Sequence, residues 1–241
     1  MRGGSCAVVS EKPPEVALTE GLWPGLTFHR MSDAWYERPA LFGRHVRLEP
    51  LTPDHAEGLF EAGRDPGVWT WLNEVRPADV AGSRALVEKA LTAHRARRQV
   101  PWAQVDAVTG EVAGVTSYYD VTPEHRGVAI GHTWLGSRWH RTGVNTEAKL
   151  LLLERAFDEL GAIRVTWHTH ARNERSRRAI ERLGARFEGI HRRHRIRPDG
   201  SLRDTAVYSM IDTEWPEARA ALRARLAAGP VSPGRGAAAR R

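Results

Sequence analysis

The chain of 241 residues has one cysteine, Cys6, and three lysines, Lys12, Lys89 and Lys149. A single cysteine excludes an intrachain disulfide and fits a reducing compartment. Long apolar runs are missing too. The longest, Leu150 to Leu153, is far short of the ~18 residues of a membrane span. The segment Met1 to Ser10 lacks the apolar centre of a secretory signal. The expectation is a soluble cytoplasmic protein with no membrane partner.

What is there is arginine. The net charge is +7, yet residues 217–241 alone carry Arg219, Arg223, Arg225, Arg235, Arg240 and Arg241 against Glu217. Most of the excess charge therefore sits in a tail. The folded part is not expected to bind nucleic acid, and any such binding would run through the tail with a steep salt dependence. Residues 1–42 have scattered Pro and Gly and no sustained period, so they read as a partly ordered extension. Residues 43–216 form the domain. Residues 217–241 give the end of a helix and a basic disordered tail.

Inside the domain the pattern is mixed. His45 to Leu51 alternates as a strand, and Thr52-Pro53-Asp54 opens a helix. A second helix spans about 78–97. Strands follow at 102–108, 111–120 and 125–135, the first two joined by a turn at Thr109-Gly110. The spacing then predicts a helix from Asn145 or Thr146 to Leu160, a strand over 164–170 and a helix capped by Asn173. Two strands surround Pro198-Asp199-Gly200, and a last helix covers 214–228. The result is an α+β, or mixed α/β, fold. It has a mixed sheet of about six or seven strands flanked by about four helices.

The stretch from Trp134 to Lys149 carries most information. A strand ends, a basic loop with Gly follows, and a helix begins. A helix N-terminus offers free N–H groups and a positive dipole end, a ready phosphate site. A P-loop needs four residues between its glycines and a Lys after the second. Here six residues separate Gly136 and Gly143, and Val144 stands where that Lys would be. The Gly-x-Gly-x-x-Gly fingerprint of dinucleotide sites is absent.

The order Ile130-Gly-His-Thr-Trp-Leu-Gly136, His140 to Lys149, Asn173-Glu-Arg-Ser176 and Ala179 to Ala185 resembles the GNAT N-acetyltransferase superfamily. Within it, the chain is similar to the branch of ribosomal-protein N-terminal acetyltransferases. Glu188-Gly189, Arg203-Asp-Thr205 and Glu214-Trp-Pro216 extend the likeness. The resemblance implies a sheet splayed at an acyl-coenzyme A site, with acetyl-CoA as acyl donor. It implies pantetheine along the edge of the strand ending at Leu135. It also implies pyrophosphate on the loop of His140, Arg141, Thr142, Gly143, Val144, Asn145 and Thr146. His140 and Asn145 depart from the usual loop pattern, and Asn145 could also cap the helix. Asn173 and Ser176 would approach the pantetheine arm, and an N–H near Trp134 or Leu135 would face the oxyanion.

Function follows as an expectation: acetyl transfer to a primary amine, on a protein N-terminus or a small molecule, by direct attack. Ser176 is the implied acid for the thiolate. The acidic residue often found before Ile-Gly is replaced by Ala129. The base candidates are therefore His132 and His170, whose imidazoles titrate in the right range, or a water chain. The Tyr common on the Asn173 helix is replaced by Ile180. These two departures keep open a non-catalytic acyl-CoA-binding or basic interaction module. The His168/His170 and His191/His194 pairs lack a recognised ligand spacing, so no metal is expected. The arginines between His191 and Arg203 would suit rRNA, an acidic protein surface or the 3′-phosphate of the coenzyme, but read first as a solvated edge hairpin whose charge deters strand pairing. A monomer or homodimer fits the sequence equally.

Overall fold

The computed structural model describes residues 33–229. The extension up to residue 32 and the tail from residue 230, expected to be partly ordered and disordered, lie outside the described residues. Eight strands form one sheet: β1 (Leu41–Phe42), β2 (Val46–Pro50), β3 (Gln99–Asp106), β4 (Val112–Thr122), β5 (Gly127–Leu135), β6 (Arg164–His170), β7 (Arg186–Ile196) and β8 (Leu202–Ile211). Their order is β1-β2-β3-β4-β5-β6-β8-β7. The expected six or seven strands become eight because β1, two residues long, is too short to leave a pattern.

Among the described residues five α-helices flank the sheet rather than about four: α1 (Ala56–Ala62), α2 (Val80–Arg95), α3 (Gly143–Glu154), α4 (Glu174–Glu181) and α5 (Trp215–Ala227). Helices α1 and α2 cover one face, where Leu51, Ala56, Leu59 and Val87 pack on Ala103 and Val105. Helices α3 and α5 belong to the larger core, with Leu152, Leu153, Trp215 and Leu222 buried among Val46, Trp102 and Tyr118. Strand β3 is covered on both faces, so its inner residues are all buried.

Only β5 and β6 run parallel, and they pair over just three rungs, Gly127 to Ala129 against Arg164 to Thr166. Beyond Ala129 they part. On its other side β5 stays with β4, but the register slips between Ser117↔Gly131 and Val115↔Trp134. The slip is a bulge on β5, and His132 sits in it with φ +46. A bulge bends a strand and re-aims its side chains. Gly114 of β4 lets the strands close up again, because a Cβ there would lie 2.1 Å from the Trp134 carbonyl oxygen.

Helix α3 is buried nearly all round, including Glu147 and Lys149. The Glu147 carboxylate accepts the backbone N–H groups of Arg44, His45 and Val46 at 2.9, 2.5 and 2.9 Å. A π-turn, Arg155–Glu159, follows the helix. From it Arg155 reaches the carbonyls of Ala34 and Glu37.

Candidate active site

Helix α3 begins at Gly143, two residues before the expected start, and its cap is Thr142 rather than Asn145. The Thr142 hydroxyl accepts from Val144 N and donates to the Trp139 carbonyl. Arg141 just before it takes φ +63. Gly143 is required for space, since a Cβ would meet the His45 ring at 2.6 Å. The loop therefore wraps tightly onto the first N–H groups of α3, where the helix dipole is positive.

His140 pins this loop to the strand. Its Nε2 donates to the Leu135 carbonyl at 3.0 Å, and its Nδ1 accepts from Arg175 at 3.4 Å. Burial and then Arg175 hold the imidazole below its ordinary range, so the ring is neutral near pH 7. The Leu135 carbonyl lies on the open side of β5, and a strand residue turns its N–H the same way as its C=O. The Leu135 N–H thus faces the gap. Trp134 points its carbonyl the other way, to Gln104 Nε2 at 3.3 Å. Of the two residues expected to supply an oxyanion donor, Leu135 is the one whose peptide faces the gap.

One cleft of about 1670 Å³ runs through the gap. It takes in every expected site residue except Val144, which is buried in the core. On the far wall, Asn173 caps α4 by accepting Ser176 N–H at 3.1 Å. The half-buried Ser176 side chain lines the cleft. Ile180 is buried in the core.

The two base candidates differ. His132 is exposed to the cleft. Desolvation by the surrounding walls lowers its pKa, while Glu74 and Asp120 pull it back up. His170 is only 3 % exposed and lies under Trp71, ring centroids 4.8 Å apart. Its Nδ1 accepts from Arg172 N at 3.1 Å, and its Nε2 meets no partner among the described residues. Both line the cleft, but His132 presents its ring to it while His170 keeps only a small part of its surface uncovered.

Sequence reasoning missed several members. Tyr119 stands edge-on to His132, centroids 5.1 Å apart, and shares a 2.8 Å hydrogen bond with His168 Nδ1. Strand register alone brings these rings together, so no local signal existed. Lys149 lies under the bulge, 5 % exposed, and donates to Thr116 and Thr133 hydroxyls at 2.8 Å each. Those hydroxyls also bond each other. Burial pushes the amine down to about 7. A signal was present here: Lys149 shares a helix face with Leu152, Leu153 and Ala156, three, four and seven residues on. Among the described residues, no group of three or more His, Cys, Asp or Glu could hold a metal ion. No described helix is long and apolar enough to cross a membrane.

A gap between parallel strands, with a helix N-terminus at its mouth, is the architecture of an acyl-coenzyme A-dependent transferase. The chain belongs to the acetyltransferase (GNAT) family, whose domain model matches residues 45–186. It is similar to a GCN5-related N-acetyltransferase from Brucella melitensis, with 38% identity and a TM-score of 0.74, covering 78% of this chain and 85% of that one. YdaF of Bacillus subtilis, named for ribosomal N-acetylation, is 31% identical over 106 residues, which is 44% of this chain and 57% of YdaF. Microcin C7 self immunity acetyltransferase MccE, solved with acetyl-CoA and AMP, shares the fold at 18% identity and a TM-score of 0.61, over 70% of this chain and 93% of MccE. The protein is an acetyl-CoA-dependent acyltransferase.

Proposed function

We propose that the protein acetylates a primary amine by direct attack on acetyl-CoA, with His132 as base and Ser176 as acid. The observation that carries this is the bulge of β5, which aims His132 into the cleft one step from the open strand edge. Pantetheine lies along that edge, and pyrophosphate sits on the amides around Thr142 to Asn145.

An amine arrives as an ammonium, whose pKa is far above neutrality. Neutral His132 takes one proton and passes it to solvent in the cleft. The freed nitrogen attacks the thioester carbon, and the oxyanion meets the Leu135 N–H. The C–S bond breaks, and Ser176 delivers a proton to the thiolate as the new amide nitrogen loses one. The products are the N-acetyl amide, coenzyme A and one proton released to solvent. The acceptor amine belongs to a protein N-terminus or a small molecule.

A second reading, a non-catalytic acyl-CoA-binding or basic interaction module, draws on Ala129 and Ile180. Both are buried apolar residues at positions where the resemblance implies ionisable ones. A thiol-release assay with acetyl-CoA and a panel of amines separates the two readings. Turnover on any amine supports catalysis. Acetyl-CoA binding with no turnover on the whole panel defeats it.

A further inference from the structure

Across the cleft from the phosphate loop stands the β7–β8 hairpin, and its arginines are not simply solvated. Arg195 and Arg203 are direct cross-strand partners. Like charges in such a pair repel and destabilise a sheet. A bulge between His191 and Arg195 creates the pairing, fixed by Arg193 N–H donating to Asp204 at 2.7 Å. Without that bulge Arg193 would face Arg203, so the bulge is what makes Arg195 the partner.

The acids nearby are engaged elsewhere. Asp204 holds the bulge, Asp199 lies near Arg197 at 3.6 Å, and Glu74 is taken by Lys89 at 2.9 Å. Asp120 is the remaining carboxylate facing the cluster, against two guanidiniums. Arg203 has one polar contact, to Asn73 Oδ1 at 3.2 Å, and its Nε is buried without a partner among the described residues. Among those residues, neither Arg203 nor Arg195 forms an ion pair. Both line the same cleft as His132. The rings of His168 and His194 stand 6.5 Å apart, and His168 is bonded to Tyr119.

The hairpin is also tied down. Arg197 donates to the Thr70 carbonyl at 2.7 Å, so the hairpin and the segment before α2 close over the cleft together. Arg203, half-buried and bonded to Asn73, is held in the cleft that His132 also lines.

We infer that Arg203 and Arg195 form an anion subsite of the acceptor cleft, and that the acceptor is an amine carrying its own carboxylate or phosphate. An anion there relieves the Arg–Arg repulsion and supplies the planar partner that a guanidinium fork fits. It also holds the amine over His132. This rests on the acetyl-transfer reading and goes further by naming the acceptor's chemistry.

The test uses matched pairs with the full chain and acetyl-CoA. Each amino acid is set against its amide, and O-phosphoethanolamine against ethanolamine. The expected result is kcat/KM at least tenfold higher for the anionic member of one set, which also tells carboxylate from phosphate. In Arg203→Met and in Arg195→Met that ratio falls to near one; Arg195 is exposed, so its variant leaves the Asn73 contact alone. Calorimetry on the protein saturated with coenzyme A gives a readout free of turnover. There N-acetylglycine is titrated against N-acetylglycinamide, and N-acetyl-O-phosphoethanolamine against N-acetylethanolamine. Turnover of neutral amines without an anion preference overturns the subsite but leaves acetyl transfer standing. Equal or absent binding of both members of each pair, or a preference that survives both variants, overturns it as well.

Discussion

Lys149 offers a test in which a substitution reverses its effect with pH. Its amine is sealed under the β5 bulge, with two threonine hydroxyls as partners and its pKa lowered from 10.5 to about 7 by burial. A neutral amine has two N–H donors, which matches two acceptors; an ammonium would leave a third donor unmet. At about 1.4 kcal/mol per pKa unit, carrying the ammonium inside costs about 5 kcal/mol below pH 7. Between pH 7 and 10.5 the unfolded chain keeps the proton and the folded chain releases it. Stability therefore rises with pH across that window. Lys149→Met removes the cost but gives up two hydrogen bonds of about 1 kcal/mol each. Thr116 and Thr133 still satisfy each other at 2.8 Å. The variant should be more stable by about 3 kcal/mol at pH 7 and less stable by about 1 kcal/mol near pH 10, with the crossing near pH 9. At about 2–4 °C per kcal/mol for a domain of this size, Tm at pH 7 rises by about 6–12 °C. Thermal melts of both proteins from pH 6 to 9.5 read this directly, below the range where the buried tyrosines titrate. Parallel curves, with a difference independent of pH, would refute the account, because the amine would then carry its ordinary charge in the folded state.

Two other perturbations bear on the site. Glu147→Gln leaves one oxygen where the carboxylate accepts three backbone N–H groups; it should cost about 3 kcal/mol, read as a lower urea midpoint, and an unchanged midpoint would mean the anchor contributes nothing. His132→Gln should lower kcat/KM by about 10²–10⁴ and flatten the acid limb of its pH profile, which in the parent lies below pH 6.5 because desolvation lowers that imidazole; a variant that keeps the parent's acid limb would assign the base elsewhere.

Local rules made much of this molecule legible. Alternation found β2, runs of strand-forming residues between turns found β3 to β6, and Asn173 as a cap followed from its place before an acidic first turn. The loop proposed to hold phosphate stood out because a strand, a Gly and a helix start lie next to one another in sequence. Its details were less accessible. Thr142 and Asn145 are both good caps, and only the chain path, with Arg141 in the left-handed region, decides for Thr142. The arginines of β7 and β8 were visible as charge, but which of them faces Arg203 depends on a bulge that leaves no sequence mark. Tyr119, His168 and His132 come from three strands, and nothing short of the sheet's register joins them.

The short parallel pairing of β5 and β6 has a consequence for solubility. An open strand edge is normally a template for another chain and a route to aggregation. Here the unpaired stretch beyond Ala129 lies inside the sheet, flanked by β4 on one side and the diverging β6 on the other. A foreign strand would have to enter the wedge end-on, past the loop that His140 ties down. In the proposed reaction a slender pantetheine arm uses those backbone groups, where a polypeptide, with side chains on both faces, is kept out. The fold thus hides an open sheet edge from other strands.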